Sequence, residues 1–595
     1  MFHRFAGFTV VLLLVACSTS TRFQYRPPAE SLQAPEAASG FVVKPGWQSS
    51  RFMVAAANPL ATDAGYQVLK AGGSALDAAI AVQMVLGLVE PQSSGIGGGA
   101  FLMHYDGQRV QAFDGRETAP AAATPELFMK DGKPMPFMEG VVGGRSVGTP
   151  GAVRMLELAH RQHGRLPWAS LFAPAIRLAE EGFLVSPRLA SLLQTPDARR
   201  LLEDPQARAL FFDAEGKPLA AGTRLRNPAY AASLRAIAAG GSAALHTGPI
   251  AEAVVARVRG HTNAGGLNLA DMASYQAKVR EPLCFDYKRW RVCGMPPPSS
   301  GPLAIAQMLG MLAQRDLAAY PPVPREFGLE PSAEAVHLVS EAGRLAYADR
   351  GRYVADPDFV PLPGGSAAAL LAPDYLRARA ARIGERSMGR AEPGDPLAAR
   401  AALADDRSPE LPSTSHISVV DAQGHAVSMT TTIENAFGAQ IMAAGFLLNN
   451  QLTDFSFVPS ENGKPVANRV EAGKRPRSSM SPLLVFERDS GRLAMTMGSP
   501  GGSAIINYVA KTLVGMTDWG LNAQQAVALP NFGSRNGPTE LEQGRVSPEL
   551  IAALQARGHE VRSIVQTSGL QAIQRTDKGW FGGADPRREG VAMGD

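Results

Sequence analysis

The stretch Thr414-Ser-His-Ile-Ser-Val-Val-Asp-Ala-Gln-Gly-His-Ala-Val-Ser-Met-Thr-Thr-Thr432 constrains this chain most. Apolar Ile417 and Val419, then Ala426, Val427 and Met429, flank the turn signal Asp421-Ala-Gln-Gly424, the pattern of a β-hairpin. Paired positions in a hairpin have a constant sum, so the turn sets every partner. If Asp421 faces Gly424, Thr414 faces Thr431; if Gly424 adds a bulged residue, Thr414 faces Thr432. Either register brings a hydroxyl of the Thr430–Thr432 cluster to the start of the first strand. Ahead of it runs Asp405-Asp-Arg-Ser-Pro-Glu-Leu-Pro-Ser413, polar and proline-containing, the composition of an exposed loop. A threonine at that junction, beside a second hydroxyl, suits a nucleophile freed by chain cleavage. Its own α-amine, titrating at ~8 when unperturbed, would be the base. An ordinary threonine-rich hairpin is the competing reading.

The chain begins as an exported protein does. Met1–Ala16 has a short charged start (His3, Arg4) and the apolar run Phe8–Ala16, too short to span a bilayer as a mature helix. Leu14-Val-Ala-Cys17 resembles a bacterial lipobox, which implies lipidation of Cys17 and, with Ser18, outer-membrane sorting. An ordinary secretory signal with an incidental cysteine is the alternative. From Cys17 to Gln48 the chain reads as a tether. With 45% apolar and 19% charged residues the rest can bury a large core. A net charge of +4 and no basic stripe interleaved with aromatics argue against nucleic-acid binding.

Asn58 caps a helix that glycines 72 and 73 stop, and Ser74–Leu88 begins a nearly all-apolar, hence buried, second helix. Ser94-Gly-Ile-Gly-Gly-Gly-Ala100 enters a strand and lacks Gly-Lys-Ser/Thr, so it signals close packing and not a phosphate loop. Gly144-Arg-Ser-Val-Gly148 matches a serine-hydrolase elbow, but Thr149-Pro-Gly151 follows where a helix should start. His160 and His163 are expected at an exposed helix end, and Cys284 with Cys293 supplies too few ligands, so no metal or other cofactor is expected. Those two cysteines straddle a short hairpin whose turn at Lys288-Arg289 sets them opposite each other. A cross-strand disulfide is feasible there, and two buried free thiols are the alternative. Residues 153–256 and 332–381 read as helical. Helices come in blocks and strands as hairpins, without βαβ alternation, which gives an α+β class.

From about Met53 to the C-terminus the chain resembles the γ-glutamyltranspeptidases, which are N-terminal-nucleophile hydrolases. The resemblance lies in Thr414–Asp454, Arg477-Ser-Ser-Met-Ser-Pro482, Gly498-Ser-Pro-Gly-Gly-Ser503, Glu90–Gly99 and Met295–Gly301. It implies a four-layer αββα sandwich made as one precursor and cut between Ser413 and Thr414. The large subunit would end at Ser413, its folded part starting near residue 49, and the small one would be 414–595. Thr414 would attack, Thr432 would bond the nucleophile, and Gly501 and Gly502 would hold the oxyanion. Arg116, Ser478 and Ser479 would take the substrate's α-carboxylate, and Gln451 and Asp454 its ammonium. Two departures stand out. Glu434 replaces the usual asparagine, and Ser456–Gly473 is short, with Phe457 its one aromatic residue.

The expected activity is therefore cleavage of γ-glutamyl amides such as glutathione, passing the acyl group to water more than to an amino-acid or peptide acceptor. A glutaryl or poly-γ-glutamyl acylase of the same superfamily is the first alternative, and a non-catalytic surface lipoprotein the second. Membrane attachment is expected only through the lipid on Cys17, with the protein in the periplasm.

Overall fold

The computed structural model describes residues 41–397, 403–406 and 413–595. The signal segment 1–16 and the lipidation site Cys17 lie outside the described residues. Among those described, no helix is long and apolar enough to cross a membrane.

Two seven-stranded antiparallel sheets form the centre. The first runs in the order Val591–Gly594, Met53–Ala56, Ser415–Val420, Ala426–Thr432, Gly99–Tyr105, Val110–Gly115, Lys278–Arg280. The second runs Trp47–Ser49, Gly579–Ala584, Gln571–Thr576, Leu493–Gly498, Leu483–Glu487, Trp290–Gly294, Leu283–Tyr287. Side chains alternate along each strand, and in the first sheet both faces are covered. Val54, Leu102, Ile417, Val419, Val427 and Met429 face one apolar cluster, which the helices Pro59–Lys70 and Ala75–Val89 cover. Met53, Ala55, Phe101 and Met103 face the other cluster, shared with Val485, Met495, Met497 and Ile573 of the second sheet. The helices Gly301–Leu312, Ala333–Tyr353 and Ile505–Thr517 close that side. The result is helices, two stacked sheets, helices.

Three side-chain hydroxyls tie the sheets together, each paired because an unmade buried hydrogen bond costs about 1–3 kcal/mol. Ser418 Oγ donates to the Gln571 carbonyl (3.1 Å), Ser428 Oγ to that of Met497 (2.9 Å) and Thr496 Oγ1 to that of Val427 (3.2 Å). These bonds tie the Thr414–Thr432 hairpin to the second sheet. Its neighbours Met53–Ala56 and Gly99–Tyr105 come from the chain before Ser413, so the two sides of the Ser413–Thr414 bond share one sheet.

Two expectations need correction. Trp47 and Gln48, assigned to the tether, belong to the fold: Trp47–Ser49 pairs with Gly582, Phe581 and Trp580. Just before them, Lys44 Nζ donates to the carbonyls of Asp585 (2.8 Å), Arg588 (2.6 Å) and Gly590 (2.5 Å). His160 and His163 are half-buried and not solvated. His160 Nε2 meets the Leu166 carbonyl (3.0 Å), and His163 Nε2 meets Gln111 Oε1 (2.6 Å) while its ring stacks on His104. Cys284 and Cys293 face each other in the edge hairpin and are joined as a disulfide.

Candidate active site

The hairpin adopts the bulged register. Ser415 pairs with Thr431 and Val420 with Ala426, so Thr414 falls opposite Thr432. The turn is a three-residue loop closed by Gly424 N–H on the Asp421 carbonyl (2.9 Å) and Asp421 N–H on that of His425 (2.9 Å). Gly424 has φ +81°, a conformation glycine adopts freely. Thr414 Oγ1 lies 3.3 Å from Thr432 Oγ1 and donates to the Ser413 carbonyl. Thr432 Oγ1 donates to the same carbonyl (2.9 Å) and accepts from Glu434 N–H (2.8 Å). Two hydroxyls therefore converge on the carbonyl of the Ser413–Thr414 peptide bond.

The chain after Gly498 turns into a helix through Ser499-Pro-Gly-Gly502. Gly501 and Gly502 have φ of +141° and +56°. A Cβ on Gly501 would stand 2.5 Å from Tyr508 Cε2, so no side chain fits there. Their N–H groups make no hydrogen bond among the described residues. Amides in that state can receive a developing oxyanion.

One small cavity is lined by Arg116, Ser413, Thr414, Thr432, Glu434, Gln451, Asp454, Ser478, Ser479, Met480, Gly502 and Ile505. It thus unites every expected site residue but Gly501, which lies one residue behind the lining. Arg116 follows the strand Val110–Gly115 and is fully buried. Its Nε donates to the Pro476 carbonyl (3.1 Å), and its Nη2 to the Arg477 carbonyl (2.9 Å) and to Asp454 Oδ2. Nη1 has no hydrogen-bond partner. Gln451 Nε2 donates to the same Asp454 oxygen (2.8 Å), leaving Gln451 Oε1 without a donor. Glu434, at φ +76°, is held by Asn450 Nδ2. Arg116 Nη1 lies instead 3.9 Å from Glu117 Oε2, so the cavity wall sets a guanidinium and an amide beside the carboxylates of Asp454 and Glu434.

Sequence reasoning missed the supports. Arg588 Nη1 donates to the Thr414 carbonyl (3.1 Å), and Ser415 Oγ donates to buried Glu90 (2.9 Å), whose carboxyl burial pushes up. Asn450 links Glu434 to Thr453 Oγ1 (2.9 Å). Glu117, beside Arg116, is fully buried, and neither carboxylate oxygen has a hydrogen bond. Burial, opposed by Arg116, pushes it up to about 8. Arg588 and Glu90 lie 174 and 325 residues from the hairpin residues they hold, and no spacing signals them.

Other sequence features stay outside the site. Ser146 of the elbow-like motif donates to the Val141 carbonyl (2.6 Å) in a buried turn. Gly98 packs so tightly that a Cβ would stand 2.1 Å from the Thr432 carbonyl oxygen, the close approach expected of that run. Phe457 stacks on Phe128 (4.4 Å) and Phe137 (5.8 Å) in a satellite core, and it does not line the cavity.

The family model described as Gamma-glutamyltranspeptidase matches residues 61–595. The glutathione hydrolase proenzyme of Bacillus subtilis (strain 168) is 35% identical over 557 residues, 91% of each chain. The acylase ACY 1 proenzyme of Pseudomonas sp. (strain SE83) is 37% identical over 548 residues, 90% of this chain and 92% of its own. Among solved structures, the cephalosporin acylase from Bacillus halodurans superposes with a TM-score of 0.81 at 27% identity, covering 94% of this chain and 99% of that one.

Proposed function

The chain belongs to the γ-glutamyltranspeptidase family, and on that premise we propose that it cuts its own Ser413–Thr414 bond and then uses Thr414 to cleave γ-glutamyl amides. The observation that carries the substrate reading is one cavity lined by Arg116 as donor and by the Gln451 amide as acceptor, beside Asp454 and Glu434. A γ-glutamyl group carries a carboxylate and an ammonium on one carbon. The donor answers the first and the acceptor the second, with Asp454 and Glu434 supplying countercharge.

In maturation, Thr414 Oγ1 turns from the oxygen to the carbon of the Ser413 carbonyl. The Oγ–C bond forms, the C–N bond breaks, and the hydroxyl proton passes to the nitrogen. Thr432 Oγ1, already donating to that carbonyl, stabilises the oxyanion. Water then hydrolyses the ester, leaving Ser413 as a carboxylate and Thr414 as a free amine. The relatives' description as proenzymes supports this step.

In turnover, the Thr414 amine takes the hydroxyl proton as Oγ1 attacks the γ-carbonyl, and Gly501 and Gly502 N–H groups receive the oxyanion. The protonated amine gives its proton to the departing amine, and water or a second amine resolves the ester. With Phe457 packed elsewhere, no aromatic from 456–473 shields that ester, so water is the favoured acceptor. Export and lipidation at Cys17 complete the reading, on the strength of Leu14-Val-Ala-Cys17.

A glutaryl acylase is the second reading, favoured by the acylase relative and by Glu434 in place of asparagine. A glutaryl group lacks the ammonium and would leave Gln451, Asp454 and Glu434 facing apolar carbon, which weighs against it. Parallel assays with γ-glutamyl and glutaryl anilides, with and without a dipeptide acceptor, separate the two.

A further inference from the structure

On the far side of the second sheet, the helix Ala333–Tyr353 carries His337 and Glu341 four residues apart, hence on one face. Against that face lies His559, 222 residues beyond His337. All three are buried, at 0%, 0% and 4% exposure. His337 Nδ1 and His559 Nε2 face each other at 2.8 Å with ring planes crossed at 88°. A carboxylate oxygen of Glu341 joins them, all three atoms lying within 4.8 Å of one another.

The outer atoms of each side chain are already oriented. His337 Nε2 donates to the Gly384 carbonyl (2.8 Å), which makes Nδ1 a bare acceptor. His559 Nδ1 meets Thr539 Oγ1 (2.8 Å), and that hydroxyl also accepts from Arg344 Nη2 (3.0 Å). Glu341 Oε1 receives Arg344 Nε (2.9 Å) and Ser387 Oγ (2.8 Å), whereas Oε2 receives only the Met388 N–H (2.8 Å). One lone pair of Oε2 is therefore left over. Imidazoles backed by a carbonyl or hydroxyl on the distal nitrogen are the usual form of metal-binding histidines.

We propose that His337 Nδ1, His559 Nε2 and Glu341 Oε2 bind one divalent first-row transition ion, with Zn2+ as the best fit. Two imidazole nitrogens and one oxygen suit such an ion, and the lack of further oxygen ligands disfavours Ca2+ and Mg2+. Bonds of about 2.0–2.1 Å in a tetrahedral arrangement need the two nitrogens to part from 2.8 Å to about 3.3 Å. The proton between them shifts to His559 Nδ1, and Thr539 Oγ1 accepts it, so none is released. Because Glu341 also serves Arg344, the ion meets less than a full negative charge, and low-micromolar affinity is expected. None of the three residues lines the Thr414 cavity, so the site does not depend on the functional reading. His337 and Glu341 precede the Ser413–Thr414 bond and His559 follows it, so the ion would staple the two parts together.

Chelator-treated full-length protein should be titrated with Zn2+ by calorimetry and with Co2+ by visible absorption. The expected result is one ion per chain, Co2+ ligand-field bands, and a thermal midpoint raised by a few degrees. His559→Gln and His337→Gln should each weaken binding at least 10-fold and lose the thermal response. Absence of Co2+ bands in the unsubstituted protein would overturn the site, whatever the fate of the variants. Binding undiminished in both variants would overturn it too, placing the ion elsewhere.

Discussion

Arg116 and Asp454, both lining the Thr414 cavity, form a buried ion pair, Nη2 on Oδ2, although they were expected to hold two different groups of the substrate, its α-carboxylate and its ammonium. In the proposed reading the Arg116 guanidinium, which lines the cavity, also meets the substrate carboxylate. Charge-assisted bonds of this kind contribute about 1.5–3 kcal/mol. Arg116→Lys keeps the charge and loses the fork, so kcat/KM for a γ-glutamyl anilide should fall roughly 10- to 150-fold. Unaltered kinetics would remove Arg116 from the binding site.

Glu434 sits in the cavity wall with Asp454, held there by Asn450. An ammonium placed between them gains from both carboxylates, and a substrate that lacks one gains from neither. Glu434→Asn should therefore raise glutaryl turnover relative to γ-glutamyl turnover by roughly 10-fold, the scale of one lost charge-assisted contact to the ammonium. Equal use of both anilides by the unsubstituted protein would instead favour the acylase reading.

The third prediction concerns acceptors. Phe457 is fixed by stacking on Phe128 and Phe137, away from the nucleophile. Added dipeptide should therefore increase release of the aniline only slightly, with free glutamate the main acyl product. Transfer product exceeding glutamate at low-millimolar dipeptide would contradict this account of the segment 456–473.

Glu117 yields a pH prediction. Burial raises its carboxyl from an ordinary 4.5 to about 8, so the native state holds a proton that the unfolded state has lost between those values. Its contribution to stability is then fully present below pH 4.5 and declines as pH rises toward 8, by about 1.4 kcal/mol per pH unit. Glu117→Gln should match the unsubstituted protein near pH 4.5 and exceed it in denaturant midpoint at pH 8. Parallel stability curves across that range would show that Glu117 is ionised in the native state.

The hairpin 415–432 was legible because its strands alternate and its turn carries glycine, and the motifs around Arg116, Ser478 and Gly501 named most of the cavity wall. The choice between two registers was not legible, since it depends on Gly424 taking φ +81° to close a three-residue loop. Nor was Trp47–Ser49, too short to show alternation and ordered by distant chain, the partner strand 579–584 and the Gly594 carbonyl that accepts from Trp47 Nε1 (3.1 Å). Arg588, Glu90 and Asn450 were invisible for a different reason. Each acts through side-chain hydrogen bonds to residues outside its own element, and such bonds leave no periodic trace in a sequence.

The central claim is that Thr414 is a nucleophile uncovered by its own chemistry, and intact-mass analysis of purified protein tests it most directly. The account predicts two fragments for the unsubstituted chain, the smaller beginning at Thr414, and one uncut chain for Thr414→Ala. An alanine variant that still separates at the Ser413–Thr414 position, or an unsubstituted chain that is active while uncut, would contradict it.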